Sequence, residues 1–376
     1  MQAVDVEVPE KLFAQCERFL FGHGTQRPHA VLADLASEAG PEEADRYGEG
    51  SIITDLESEV AALLGKEAAL FLPSGTMAQQ IALRIWADRR RTPVVAFHPT
   101  CHLEIHEQKG YALLHGLHGR LVGEATRLLT LADLSATPGP IAALLIELPQ
   151  REIGGQLPDW SDLQAQADWA RSQNIALHMD GARLWESGPF YQRPYAEICS
   201  LFDSVYVSSY KAIGAVAGAA LAGSAEFIAE ARVWQRRHGG NLIQLYPFVL
   251  SARANLRRRL NRFEHYARRA RAIASVLTSV PGIVVKPDPP HTNMMHVYLR
   301  GSAEALLQVS ADIARNEKVL LFRRLLPTGV PGVAAFELSI GDAADDISDS
   351  EIHTYFDRMM AMGGDKLSAR GEAAHE

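Results

Sequence analysis

A chain of 376 residues with a formal net charge of −8, 47% hydrophobic and 22% charged residues has the composition of a soluble globular protein, with length for one large α/β domain and a smaller companion. The acidic balance argues against nucleic acid or an anionic membrane as a partner, and the basic runs Arg89-Arg90-Arg91 and Arg257-Arg258-Arg259 read as solvated helix faces. No apolar run reaches the roughly 18–20 residues that span a bilayer, the first residues lack a signal-peptide pattern, and Cys16, Cys101 and Cys199 are too far apart for a disulfide framework, so a cytoplasmic location is expected.

Residues 1–45 are read as an N-terminal segment packing on a large domain, 46–250. Within that domain, apolar runs at 68–72, 94–97, 141–148, 175–179, 204–208 and 216–222 read as strands, and helical stretches such as 77–89 and 159–173 fit between them. The alternation predicts a mostly parallel sheet covered on both faces, with ligands at the carboxyl ends of its strands. From about residue 245 the pattern changes to a long helical stretch over 250–277. A strand at 294–299, a helix at 303–316, strands near 319–322 and 335–340 and a helix at 349–362 follow, as expected for a smaller α/β domain over 251–362. Residues 363–376 are expected to be a disordered polar tail.

Three places in the large domain carry chemistry. The run at 175–177 delivers His178-Met179-Asp180-Gly181-Ala182-Arg183, and the run at 204–208 leads through Ser209 and Tyr210 to Lys211, the one charged residue between Ser204 and Gly223. An Asp closing one buried strand and a Lys just after the next is the pairing that pyridoxal 5'-phosphate (PLP) requires. The lysine amine forms a Schiff base with the cofactor aldehyde, and the aspartate keeps the pyridine nitrogen protonated. Upstream, Pro73-Ser74-Gly75-Thr76 joins a strand to a helix, and a small turn of this kind offers N–H groups and hydroxyls to a phosphate at the positive end of the helix dipole. Ser74 is equally an ordinary helix N-cap, and Asp180 an ordinary strand-end cap.

Together these residues resemble the threonine aldolase and β-eliminating lyase group of fold type I PLP enzymes, which have an aspartate aminotransferase-like large domain and a smaller C-terminal α/β domain. The resemblance runs from about Arg46 to Ser339. It rests on Tyr47-Gly48-Glu49, the stretch from Gly65 to Thr76, the residues from His178 to Arg183, Lys211, Gly239-Gly240 and Thr292-Asn293-Met294. It implies Lys211 as the Schiff-base lysine, Asp180 on the pyridine nitrogen, Arg183 near the cofactor phenolate and Ser74, Gly75 and Thr76 on the phosphate. His102 is implied as the histidine that stacks on the cofactor ring and can exchange a proton with a substrate hydroxyl. It also implies a homodimer or homotetramer with shared active sites, in which Arg236 or Arg237 of a neighbour reaches the phosphate.

The implied reaction is cleavage of a β-hydroxy-α-amino acid to glycine and an aldehyde, with β-elimination or racemisation as the alternative. Departures from the family pattern bear on that choice. Phe21-Gly22-His23-Gly24-Thr25-Gln26-Arg27-Pro28 lacks the serine that helps hold the substrate carboxylate, and Phe336-Glu337-Leu338 stands where an arginine clamp is expected. A second family histidine is replaced near Gln150-Arg151-Glu152. Tyr47, Gln150, Arg151 and Arg323 (or its neighbour Arg324) are the candidate substrate-binding residues, a guanidinium being the natural partner of a carboxylate. Other classes fit less well. His98, Cys101, His102, His106, His115 and His118 crowd one stretch but lack the HExxH order, so no metal is expected. Residues 214–218 lack a nucleotide-binding glycine pattern, and a non-catalytic binding subunit would have no need to keep Lys211, Asp180 and His102 together.

Overall fold

The computed structural model describes residues 6–372. The chain forms two compact units, one from residues 28–263 and one from residues of 1–27 and 264–376. In chain order the strands are β1 (Val6–Glu7), β2 (Arg18–Phe19), β3 (Ala68–Leu72), β4 (Val94–Phe97), β5 (His118–Leu121), β6 (Ala143–Glu147) and β7 (Ala176–Gly181). They continue with β8 (Ser204–Ser208), β9 (Ala219–Gly223), β10 (Ile283–Lys286), β11 (Met294–Arg300), β12 (Val319–Leu320), β13 (Arg324–Pro327) and β14 (Val333–Ser339).

The larger unit is built on a seven-stranded sheet of order β3-β9-β8-β7-β6-β4-β5, in which β9 alone runs against its neighbours. Its central strands β7 and β8 are buried along their whole length, which is why they read as apolar runs without alternation. The helix Gly75–Arg90 lays Ala78, Ile81, Ala82, Ile85 and Trp86 into this core. Each large apolar side chain buried there stabilises the fold by about 1.5–3 kcal/mol. Trp86 stacks on Phe227 at 5.2 Å and donates its indole N–H to Ser204 at 2.8 Å, so its polar atom is satisfied inside the core.

The smaller unit has an antiparallel sheet of order β1-β13-β14-β11-β10 and a separate parallel pair, β12 with β2. Its core gathers Phe336, Phe356, Ile313, Leu306 and Met359. Among the described residues no helix is long and apolar enough to cross a membrane.

Several expectations change. The chain divides near residues 27 and 263, so 6–27 belong with the smaller unit and 28–45 with the larger. The helical stretch over 250–277 is two helices, Tyr246–Arg259 and Phe263–Thr278, parted by a 3-10 turn at Leu260–Arg262. The break falls where the buried Arg259 turns inward to donate to the Ile213 carbonyl at 2.7 Å. The stretch expected to be a disordered tail is helical through Glu372, because Asp349–Glu372 is one helix. Gly363 lets that helix lie on Leu306, whose side chain would stand 2.8 Å from a Cβ placed there. Residues 373–376 lie outside the described residues. The edge strand β5 is too polar to stand out as an apolar run, and β10 alternates buried and exposed residues over four positions only.

Candidate active site

Strands β6 and β7 run parallel with Glu147 opposite Asp180, so two carboxyls leave the sheet side by side. Asp180 is buried and accepts from the Ala182 N–H at 3.0 Å. Burial raises its carboxyl from the ordinary value to about 6. Burial and the neighbouring Asp180 push Glu147 well above its ordinary range. The two face each other across the strand ends, so each disfavours the other's negative charge and they titrate as a pair.

Next in the sheet, β8 sets Tyr206 opposite Asp180 and ends at Ser208. The Ser208 hydroxyl accepts from the N–H groups of Tyr210 at 3.2 Å and Lys211 at 3.3 Å, which turns the chain so that Lys211 leaves the strand end. Its Nζ lies 5.1 Å from the Tyr210 ring centroid. The third element follows β3. Ser74 caps the helix Gly75–Arg90, accepting from the Met77 N–H at 3.3 Å. Gly75 is required by close approach, because any Cβ there would overlap the Tyr206 hydroxyl. The cap and the proposed phosphate seat are compatible, since one bond to Met77 leaves other N–H groups of the first turn to face an anion.

His102 opens the short helix His102–Ile105, with its Nδ1 3.0 Å from the Glu107 carboxylate and its ring 5.0 Å from that of His106. A cleft brings Lys211, Asp180, His102, Thr76, Arg183 and Arg151 together. Gln79, Glu107, Glu147, Tyr206 and Tyr210 line it as well. Arg183 sits 3.5 Å from the buried Glu186, and Arg151 donates to Glu152 at 2.7 Å.

The remaining sequence candidates are held by contacts of their own. Gln150 is buried and donates to Thr100 at 3.2 Å and to Glu147 at 3.0 Å. Tyr47 is 54% exposed in a turn with φ 55°, tied down where Asp45 accepts from the Gly48, Leu245 and Tyr246 N–H groups. Arg237, in the last turn of Ala225–Arg237, holds its guanidinium over Trp234 at 4.5 Å. Arg323 belongs to the smaller unit, over the Phe13 ring at 5.3 Å. His23, also there, pairs with Asp342 at 3.1 Å. Among the described residues no group of three or more His, Cys, Asp or Glu side chains is placed to hold a metal ion. His102 and His106 each face a carboxylate instead.

The cleft suits PLP. It offers an amine, two guanidinium groups, a helix N-terminus for an anion and a buried carboxylate for a protonated ring nitrogen. Gln79 supplies an independent sign. Its Oε1 is taken up by His178 at 2.6 Å, while its Nε2 is buried without a partner at the cleft wall, a donor that a polar ligand would satisfy.

An Asp and a Lys on neighbouring strand ends, with a capped helix start two strands further along a mostly parallel sheet, define the large domain of a fold type I PLP-dependent enzyme. The β-eliminating lyase family model matches residues 25–301, and the chain belongs to that family. It is similar to a crystal structure from Listeria monocytogenes EGD-E assigned provisionally as an L-allo-threonine aldolase, with 43% identity, 93% of this chain and 98% of that one covered, and a TM-score of 0.89. A structure from Exiguobacterium sp. 255-15, provisionally an aromatic amino acid β-eliminating lyase/threonine aldolase, gives 41% identity, 94% and 99% coverage and a TM-score of 0.89. Low-specificity L-threonine aldolase 1 of Arabidopsis thaliana is 28% identical over 71% of this chain and 77% of its own length.

Proposed function

We propose that the protein is a PLP-dependent aldehyde-lyase that cleaves β-hydroxy-α-amino acids of the threonine, allo-threonine or phenylserine kind to glycine and an aldehyde. The observation that carries this reading is the convergence of Lys211, Asp180 and His102 on one cleft, in a chain whose similar proteins bear threonine aldolase names. Lys211 would hold the cofactor through its amine, Asp180 would face the ring nitrogen, Arg183 the phenolate, and Ser74, Gly75 and Thr76 the phosphate. PLP bound there supplies an electron sink for the pair left when the Cα–Cβ bond breaks.

The chain's own groups then have distinct tasks. A proton held by Glu147, opposite Asp180 across the strand ends, would leave the charge of the pair on Asp180. His102 takes the proton from the substrate hydroxyl. Arg151, lining the cleft, binds the substrate carboxylate. Gln150 steadies Glu147 from behind the strand end. Tyr47 and Arg323 as substrate contacts, and Arg237 of a second copy on the phosphate, complete the assignment. The same proposal covers a cytoplasmic homodimer or homotetramer, which sedimentation of the purified protein would check.

The test is a product assay. PLP-loaded protein incubated with L-threonine, L-allo-threonine and L-phenylserine should release glycine and the matching aldehyde. Release of 2-oxoacid and ammonia would replace this reading with β-elimination, and absence of both product sets would reject this substrate class.

A further inference from the structure

We infer that Glu107 is a positioning residue that fixes the tautomer of His102. This rests on the proposed role of His102. The stretch after His102 carries two acids, and the fold treats them differently. Glu104 is half-buried and has both its oxygens occupied, by Lys109 at 2.8 Å and the Tyr111 hydroxyl at 2.6 Å. Glu107 is turned inward, with only 3% of its side chain exposed, and one oxygen meets His102 Nδ1 at 3.0 Å. Its second oxygen is buried without a partner, an expense in desolvation that a merely solvated turn would avoid.

The backbone shows the same bias. Directly after Glu107, Gln108 (φ 51°) and Lys109 (φ 55°) both adopt the left-handed conformation that residues with a Cβ enter at a cost. Two such residues in succession, next to an inward carboxylate at a cleft, mark a turn held against its local preference.

An ionised carboxylate only accepts hydrogen bonds, so Nδ1 of a neutral His102 must carry the ring proton. Nε2 is then the nitrogen with a lone pair, ready to take a proton from a substrate hydroxyl, and the carboxylate stabilises the imidazolium that results. The other groups facing this pair are the His106 ring with Glu152 behind it, Asp180 and Glu147 at the strand ends, and Lys211 and Arg151 across the cleft.

Glu107→Leu takes away the acceptor and offers no other, so nothing holds the ring proton on Nδ1 and it moves to Nε2. In 15N-histidine spectra of the PLP-free protein, His102 should be Nδ1-protonated in the parent and Nε2-protonated in the variant. With PLP bound, kcat should fall about 10²- to 10³-fold with KM changed less than about threefold, and Glu107→Asp should recover at least about tenfold. In a His102→Phe background, Glu107→Leu should cost nothing further. An unchanged tautomer, or an equal loss in both backgrounds, would overturn the inference. The spectra need no turnover, so a parent that cleaves no hydroxy amino acid would defeat the functional reading while leaving the tautomer assignment standing or falling on its own.

Discussion

In the smaller unit, the polar side-chain atoms buried without a partner among the described residues are neutral: Asn293 Oδ1, Ser310 Oγ and Ser339 Oγ. The larger unit instead buries two carboxyls, Glu147 and Asp180, at adjacent strand ends, and leaves a Glu107 oxygen and the Gln79 amide nitrogen unsatisfied at the same cleft. Around Phe336 the smaller unit spends its sequence on packing, with Phe322 at 4.7 Å and Phe356 at 6.2 Å. The difference teaches where each unit tolerates loss. One gathers its core around packed aromatic rings, whereas the other holds two unsatisfied polar atoms at a single cleft, where a ligand would balance them.

The comparison breaks most sharply at Lys211. Lys211→Ala should lower kcat about 10⁴-fold and abolish the visible absorbance of protein-bound PLP, while the melting temperature of the PLP-free protein moves by less than about 2 °C. A variant that still turns over at a tenth of the parent rate would remove this lysine from the chemistry. The opposite profile is expected for Phe336→Ala, which should cost about 3–5 kcal/mol in urea denaturation because a fully buried ring leaves a cavity.

Asp180 tests the unbalanced side of the comparison directly. Burial raises its folded pKa above the unfolded value, so the PLP-free folded state holds more protons between about pH 4 and about pH 6, and stability falls as pH rises through that window. Asp180→Asn should therefore make the PLP-free protein about 1–3 kcal/mol more stable above pH ~7 and no more stable near pH ~4, while weakening PLP binding. A stability difference that is constant with pH would show that the charge is not the cause. The smallest effect is at Ser74. Ser74→Ala should lose about 1 kcal/mol as a missing N-cap and also weaken PLP binding about tenfold. Loss of stability with unchanged PLP affinity would leave Ser74 as a cap alone.

The parallel sheet and its three loaded strand ends were legible because each depends on local pattern. The runs before Asp180 and Lys211 are continuous in sequence, and the small turn at Ser74 sits between a strand-like and a helix-like stretch. Glu147 was harder, since its meaning lies in its register with Asp180 across the sheet, though it closes its strand in the same way. Gln79 and Glu107 carried no sequence signal beyond being polar residues near helices. Their roles come from which way a helix face or a strained turn points. Tyr206 read as a strand residue, and only the missing Cβ of Gly75 shows why its hydroxyl has room. In the smaller unit, the parallel pairing of β12 with β2 joins distant segments that no local period connects, and Asp349–Glu372 continues past Gly363 because a tertiary contact overrides glycine's low helix propensity.

The reversed strand β9 sets a schedule on the ribosome. β3, which carries the turn at Ser74, is bonded only to β9, and Leu70 must wait for Leu221 before its pairing can form. A nascent chain that has already emerged as far as Lys211 still lacks the strand that ties the helix start to the lysine's side of the sheet. Pairing of β3 therefore waits until Ala219–Gly223 has been made, and truncated chains ending before Ala219 should be unable to retain PLP.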